Sequence, residues 1–298
     1  MAVYTAERAA AVPQSYTTAL VTSKDGTTIG YRQIGRGPGL VLVQGAMGTM
    51  QNFMELAEAL ENTFTVYVPE RRGRGVSGSG ADGIQSEVDD IDALLRKTGA
   101  RFIFGLSSGA LIALQAALTL PAIEKAALYE PPLFVNGLPT TLLERYKSEM
   151  AQGKMAAALV TAMQATRMGP AIFSKLPRWL LESMTKMAMR GEDKSAKPGD
   201  VTMRMLAPSL RYDFQVVVEM HGKLDSFKAM RPEILLLGGS TSPAFLKADL
   251  DALEKALPHA ERVEFPGLGH AAAWNVDKQR NPTGNPARVA EELRRFLA

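Results

Sequence analysis

The chain has 298 residues, 46% of them hydrophobic and 22% charged, with a formal net charge of +3. This is the composition of a globular chain long enough for one large core, and so small a charge, with no run of five like charges, gives nucleic acid or an anionic membrane surface no handle. Cysteine is absent, which excludes disulfides, thiolate metal sites and a cysteine nucleophile.

The first stretch, MAVYTAERAAAVPQ, reads as a loose tail, because Glu7 and Arg8 interrupt what would be the apolar core of a signal peptide. No apolar run approaches the roughly 20 residues that span a bilayer. The cytoplasm is the expected compartment. Strand-length apolar runs recur at 40–43 (LVLV), 65–68 (TVYV), 101–104 (RFIF), 126–129 (AALY), 234–237 (ILLL) and 262–265 (RVEF). Helical patterns fall at 52–61, 84–97, 109–119, 245–256 and 286–297, the last with Pro286 at its start. Continuous apolar strands suit a sheet covered on both faces. Their alternation with helices predicts an α/β fold with a mostly parallel sheet and right-handed crossovers.

Residues 137–226 break this rhythm. They show little strand signal and hold ten of the fifteen methionines. Within them GEDKSAKPGD (191–200) reads as an exposed loop. The segment is expected to be a helical insertion on a core formed by 1–136 and 227–298. Its methionines suit ordinary helix packing, or an adaptable apolar wall over a substrate.

After RFIF comes Gly105-Leu106-Ser107-Ser108-Gly109, followed by the apolar helix ALIALQAAL. This is G-x-S-x-G between a strand and a helix. A sharp turn there holds the serine in a strained conformation, and side chains at the flanking positions would clash. The turn lifts the Ser107 hydroxyl clear of the sheet. It also leaves the Ser108 backbone N–H at a helix N-terminus, free to bind an oxyanion. A tight β–α turn with a capping serine would read the same way. Ser108, the rival nucleophile, lies one place beyond the turn. A serine needs a base within reach, and the histidines are His221, His259 and His270.

The chain here resembles the α/β-hydrolase superfamily over most of its length, with the insertion where that family carries its cap. The resemblance implies that His270, in the loop between RVEF and the last helix, is the base. It implies a second oxyanion donor, the backbone N–H of Ala46, in the loop Gln44-Gly45-Ala46-Met47-Gly48. The family often has His-Gly where this chain has Gln44-Gly45. Met47, Gln44 and Trp274 are the expected substrate contacts. No cofactor is implied, and no histidine or carboxylate cluster has metal-ligand spacing. Gly73-Arg74-Gly75-Val76-Ser77-Gly78 matches G-x-G-x-x-G, but loop follows where a dinucleotide fold would open a helix. Arg71, Arg72 and Arg74 in that loop are expected to be structural ion-pair partners.

The resembling family usually presents an aspartate in the turn after the ILLL strand. Here that turn, in LLLGGSTSP (235–243), has no carboxylate. Asp249 and Asp251 fall on the following helix and are expected on its wet face. Glu70 ends TVYVPE, where the family has a structural acid, and Asp277 sits in a polar loop. The remaining candidate is Glu130 in LYEPPL. It lies 23 positions beyond Ser107, room for one helix and one strand, and so should end the neighbouring strand at the same C-terminal edge. Pro131 and Pro132 favour an extended backbone at Glu130. Haloalkane dehalogenases and zearalenone-type lactonases are similar in placing an acid here. Dehalogenases use an aspartate nucleophile, so only the position carries over from them. A strand-end carboxylate capping N–H groups or pairing with an arginine is the alternative.

The expected function is a cofactor-free serine hydrolase acting on a hydrophobic small-molecule ester or lactone. Cyclisation, acyl transfer or lyase chemistry could use the same triad, and a ligand-binding protein could sit on a retired scaffold. The oligomeric state stays open.

Overall fold

The computed structural model describes residues 16–298 apart from 170, 198–199, 258 and 279–280. The expected N-terminal tail lies outside the described residues. Eight strands form one sheet: β1 (Thr17–Thr22), β2 (Thr28–Gly35), β3 (Gly39–Val43), β4 (Thr65–Pro69), β5 (Phe102–Leu106), β6 (Lys125–Tyr129), β7 (Glu233–Gly239) and β8 (Ala260–Phe265). Their order is β1-β2-β4-β3-β5-β6-β7-β8. β1 and β2 join antiparallel at one side, and the rest run parallel.

The six parallel strands are the six apolar runs of the sequence. Their burial follows from helices on both faces. On one side α2 (Ile84–Thr98), α3 (Ser108–Thr119) and α9 (Ala244–Ala256) pack over Val41, Ile103, Leu128 and Leu236. On the other, α1 (Met54–Leu60) and α10 (Pro286–Leu297) cover Leu42, Phe104, Tyr129 and Leu237. α10 starts with the Asn285 side chain accepting from Arg288 N–H and with Pro286 at its first position.

Between β6 and β7 lie α4 (Thr140–Ala151), α5 (Met155–Thr166), α6 (Arg178–Ser195), α7 (Met203–Leu206) and α8 (Leu210–Met220), and no strand among the described residues. α6 runs through Ser195, so the start of GEDKSAKPGD is helix rather than loop. α8 is not detached from the core. Its Val216, Val217 and Met220 belong to the same buried cluster as the sheet residues Val41 and Leu128.

Candidate active site

The sheet register sets the site. Leu106, Tyr129 and Leu237 are partners across β5, β6 and β7. The ladder continues one step, with Ser107 N–H donating to the Tyr129 carbonyl (2.9 Å) and Glu130 N–H to the Leu237 carbonyl (3.0 Å). Ser107, Glu130 and Gly238 therefore stand on one row at the C-terminal edge.

Ser107 has φ 58° and ψ −126°, a strained conformation for a residue with a side chain. Its flanking glycines are required by contact. A Cβ at Gly105 would meet the Gly109 carbonyl oxygen at 2.3 Å, and one at Gly109 would meet the Val43 carbonyl oxygen at 2.3 Å. α3 opens at Ser108. The backbone N–H groups of Ser108 and Ala46 have no hydrogen-bond partner among the described residues. Ala46, Ser107 and Ser108 line one small cleft of about 40 Å³, walled by Pro132, Phe134, Leu143, Met168, Phe214 and Phe245 among others. Of the ten methionines of 137–226, Met168 alone lines this cleft, while Met184, Met187 and Met205 are exposed.

His270 Nδ1 donates to Glu130 Oε2 at 2.6 Å, and the Glu130 side chain is fully buried. Glu130 Oε1 accepts from Gly239 N–H, also at 2.6 Å. The extended backbone expected at Glu130 is wrong: its φ is +48°. The chain turns sharply off β6, and that turn carries the carboxylate to the histidine and to the next strand end. No hydrogen bond joins Ser107 to His270 among the described residues.

The turn without an acid has a structural part here. A Cβ on Gly238 would lie 3.1 Å from Glu130 Oε1 and 2.7 Å from Leu250 Cδ1, and one on Gly239 would lie 2.3 Å from the Leu268 carbonyl oxygen. Gly238 gives the Glu130 carboxylate its space, and Gly239 lets the loop that carries His270 approach β7. The residues after them pin the loop that carries His270. Ser240 N–H donates to the Phe265 carbonyl and Thr241 N–H to that of Leu268 (both 3.0 Å). The Thr241 hydroxyl donates to Leu268 at 2.8 Å, and Ser240 Oγ accepts from Gly267 N–H at 2.8 Å. Sequence reasoning also missed Tyr129. Its hydroxyl donates to the Gly269 carbonyl at 2.9 Å, and burial with the neighbouring Glu130 charge pushes its phenol pKa up.

The other candidates go elsewhere. Gln44 is fully buried and does not line the cleft, and its amide donates to the Pro69 carbonyl at 2.6 Å. Met47 and Trp274 are half-buried beside the site but do not line the cleft. Trp274 packs near Gly48, and Met47 packs on the Leu143–Tyr146 cluster. Asp249 is not on a wet face. It is 1% exposed, accepts from Phe134 N–H (3.0 Å) and Val135 N–H (2.9 Å), and burial pushes it up to about 6. Asp251 is on the wet face, where it pairs with Arg262. Asp277 is exposed, and Glu70 is buried, accepts from Met50 N–H and is pushed up to about 7 by that burial. His221 Nδ1 faces the Leu133 carbonyl at 3.2 Å, and His259 is exposed. The arginines of the Gly73–Gly78 loop are ion-paired: Arg72 with Asp25 and Asp90, Arg71 with Glu87 and Asp213, and Arg74 with Asp213. No group of three or more metal-ligating side chains occurs among the described residues, and no described helix is long and apolar enough to cross a membrane.

Comparison with known proteins agrees with this architecture. The chain is 26% identical over 256 residues to an uncharacterized hydrolase, YraK, of Bacillus subtilis, covering 81% of this chain and 86% of that one. It is similar to the crystal structure of an alpha/beta hydrolase from Sphaerobacter thermophilus, with TM-score 0.74 and 29% identity over 94% of this chain and 100% of that one. It shares the fold of the enol-lactonase from Burkholderia xenovorans, with TM-score 0.66 and 19% identity over 94% and 98% of the two chains. The sequence model of the alpha/beta hydrolase family matches residues 40–292, well over half the length, and the chain belongs to that family.

Proposed function

We propose that the protein is a cofactor-free serine hydrolase that cleaves an uncharged, hydrophobic ester or lactone through an acyl-enzyme. The observation that carries this reading is the 2.6 Å bond between His270 Nδ1 and the buried Glu130 carboxylate, beside a serine on a strained elbow. Ser107 Oγ attacks the carbonyl carbon, and its proton passes to His270 Nε2. Glu130 fixes the tautomer with Nε2 unprotonated and stabilises the imidazolium that forms. The N–H groups of Ala46 and Ser108 hold the developing oxyanion, each worth about 3 kcal/mol in comparable sites. The imidazolium then protonates the leaving alcohol. A water, deprotonated by the same nitrogen, releases the acid and regenerates the serine.

An apolar cleft favours an uncharged acyl group. Its one charged lining residue, Asp213, is already paired with two arginines. Residues 137–226 act as the cover, since Leu143, Met168 and Phe214 wall the cleft from that segment. The enol-lactonase fold neighbour fits the lactone reading.

Fluorophosphonate labelling tests the reading. Labelling is expected on Ser107, to be lost in Ser107→Ala, with turnover of a short p-nitrophenyl ester lost in parallel. Folded protein that resists the probe overturns it. The product mass should gain one water, and an unchanged mass would point to cyclisation or lyase chemistry instead.

A further inference from the structure

Beside the elbow lies an ion cluster that the triad does not use. Arg71, Arg74, Glu87 and Asp213 are each 2–3% exposed. Arg71 binds Glu87 through both ends, at 2.6 and 3.2 Å, and Asp213 Oδ1 at 2.6 Å. Arg74 Nη2 binds Asp213 Oδ2 at 2.6 Å. Two cations thus face two carboxylates in the interior. Such clusters are weak sources of stability, because desolvation offsets the attraction and apolar replacements often serve as well. Their hydrogen bonds show another use.

Three carbonyls of the loop 44–48 accept from these arginines. Arg71 Nη1 donates to Gln44 (3.2 Å), and Arg74 Nη1 donates to both Gly45 and Gly48 (2.8 Å each). The Gly45 carbonyl belongs to the peptide unit whose N–H is that of Ala46. A guanidinium on the oxygen fixes the plane of that unit and polarises its N–H. The loop is also pressed on the elbow: a Cβ at Gly45 would lie 2.9 Å from Ser107 Cβ. On the other side, the Ser108 hydroxyl donates to Asp213 Oδ1 at 2.6 Å, and Ser108 supplies the second free N–H. One carboxylate on α8 therefore ties together the supports of both free N–H groups.

We propose that Arg74 and Asp213 are positioning residues for the oxyanion hole. Arg74 orients and polarises the Gly45–Ala46 peptide, and Asp213 locks Arg74 and Ser108 into one frame. This rests on the reading of Ser107 as an acylated nucleophile. Because Asp213, Phe214 and Val217 also line the cleft, α8 carries both a wall of the acyl site and the anchor of the donors.

The test uses the full-length protein and a trifluoromethyl ketone, which forms a tetrahedral oxyanion on the nucleophilic serine. Arg74→Lys keeps the charge but loses the fork. It should lower kcat about 10- to 100-fold and weaken ketone binding by a similar factor. KM should change little, while Tm should fall because a buried ion pair loses its geometry. Asp213→Asn should act in the same direction, and Ser108→Ala, which removes one hydroxyl from the cluster, by a smaller factor. If Arg74→Lys does not fold, the other two variants decide. Unchanged kcat and unchanged ketone affinity in folded variants overturn the proposal. So does a loss confined to KM, or a kcat loss no larger than the fraction unfolded at the assay temperature. If fluorophosphonate fails to label wild-type Ser107, the hydrolase reading falls and takes this proposal with it. Labelled wild type with variants of wild-type activity removes the proposal alone.

Discussion

Two adjacent turns at the C-terminal edge of the sheet share one role unequally. The turn after β6 carries a buried carboxylate on a residue at φ +48°, and β7 ends in two glycines, the first of them beside that carboxylate. Glu130 and Gly238 stand on the same row as Ser107. A side chain at Gly238 would crowd the Glu130 carboxylate, its Cβ lying 3.1 Å from Oε1, while one at Gly239 would strike the Leu268 backbone. That carboxylate oxygen also gains a donor, Gly239 N–H. The bare end of β7 is therefore the complement of the acidic β6 turn.

The strongest way to break this comparison is to remove the acid. Glu130→Gln should lower kcat on a short p-nitrophenyl ester by about 10³- to 10⁴-fold, the loss seen when a triad loses its tautomer control. Asp251→Asn, on the exposed face of α9, should leave it within about twofold. The reverse result would place the acid on α9. The next largest effects come from adding side chains at the end of β7. Gly239→Ala drives a methyl against the Leu268 backbone oxygen, and urea denaturation should show a loss of about 3 kcal/mol. Gly238→Ala meets a flexible leucine and the carboxylate itself. Its stability loss should be nearer 1 kcal/mol, with kcat down about tenfold as Glu130 is displaced from His270. If Gly238→Ala keeps full activity, the glycine is not there for the acid.

How much of this was legible in the sequence depends on distance. Ser107 was legible because strand, glycines and helix are contiguous. The parallel strands were legible because burial on both faces leaves unbroken apolar runs. β1 escaped, since TTALVT is mostly exposed, and β2 escaped because TIGYRQIG mixes polar with apolar residues although much of it is buried. Glu130 could be placed on its row by chain length and by elimination. Its left-handed backbone could not, because the rule for residues before proline points the other way and the tertiary bonds to His270 and Gly239 prevail. Asp249 was misread because helix periodicity is blind to a partner 115 positions away. The Arg71–Asp213 pair, 142 positions apart, left no local signal at all.

Asp249 sharpens the contrast from the far side of the β7 turn, as a buried carboxylate that meets backbone N–H groups rather than a histidine. Burial raises it from 3.8 to about 6, against the pull of the Val135 and Phe134 N–H groups. A carboxyl raised above its unfolded value holds its proton more tightly in the folded chain. Its contribution to stability is full below about pH 4 and is lost as pH rises through about 6. Urea titrations of wild type and Asp249→Asn should show wild type losing on the order of 2 kcal/mol relative to the variant over that window. Parallel curves would mean that the carboxylate sits in the fold at little desolvation cost.

The smallest effect isolates the histidine loop. Tyr129→Phe removes one hydroxyl and keeps the ring, which stacks on Phe265 at 6.1 Å between centroids and 7° between planes. The Gly269 carbonyl then loses the donor that restrains it next to His270. A single buried hydrogen bond is worth about 1 kcal/mol, and Tm should fall accordingly. The catalytic consequence depends on what aims the imidazole. If the loop bonds from Tyr129, Ser240 and Thr241 set the ring position, kcat should fall severalfold with KM unchanged, and Thr241→Val should add to that loss. If the variant keeps its kcat while losing stability, the bond to Glu130 aims the ring unaided. The end of β7 would then matter to the reaction only through the space Gly238 leaves.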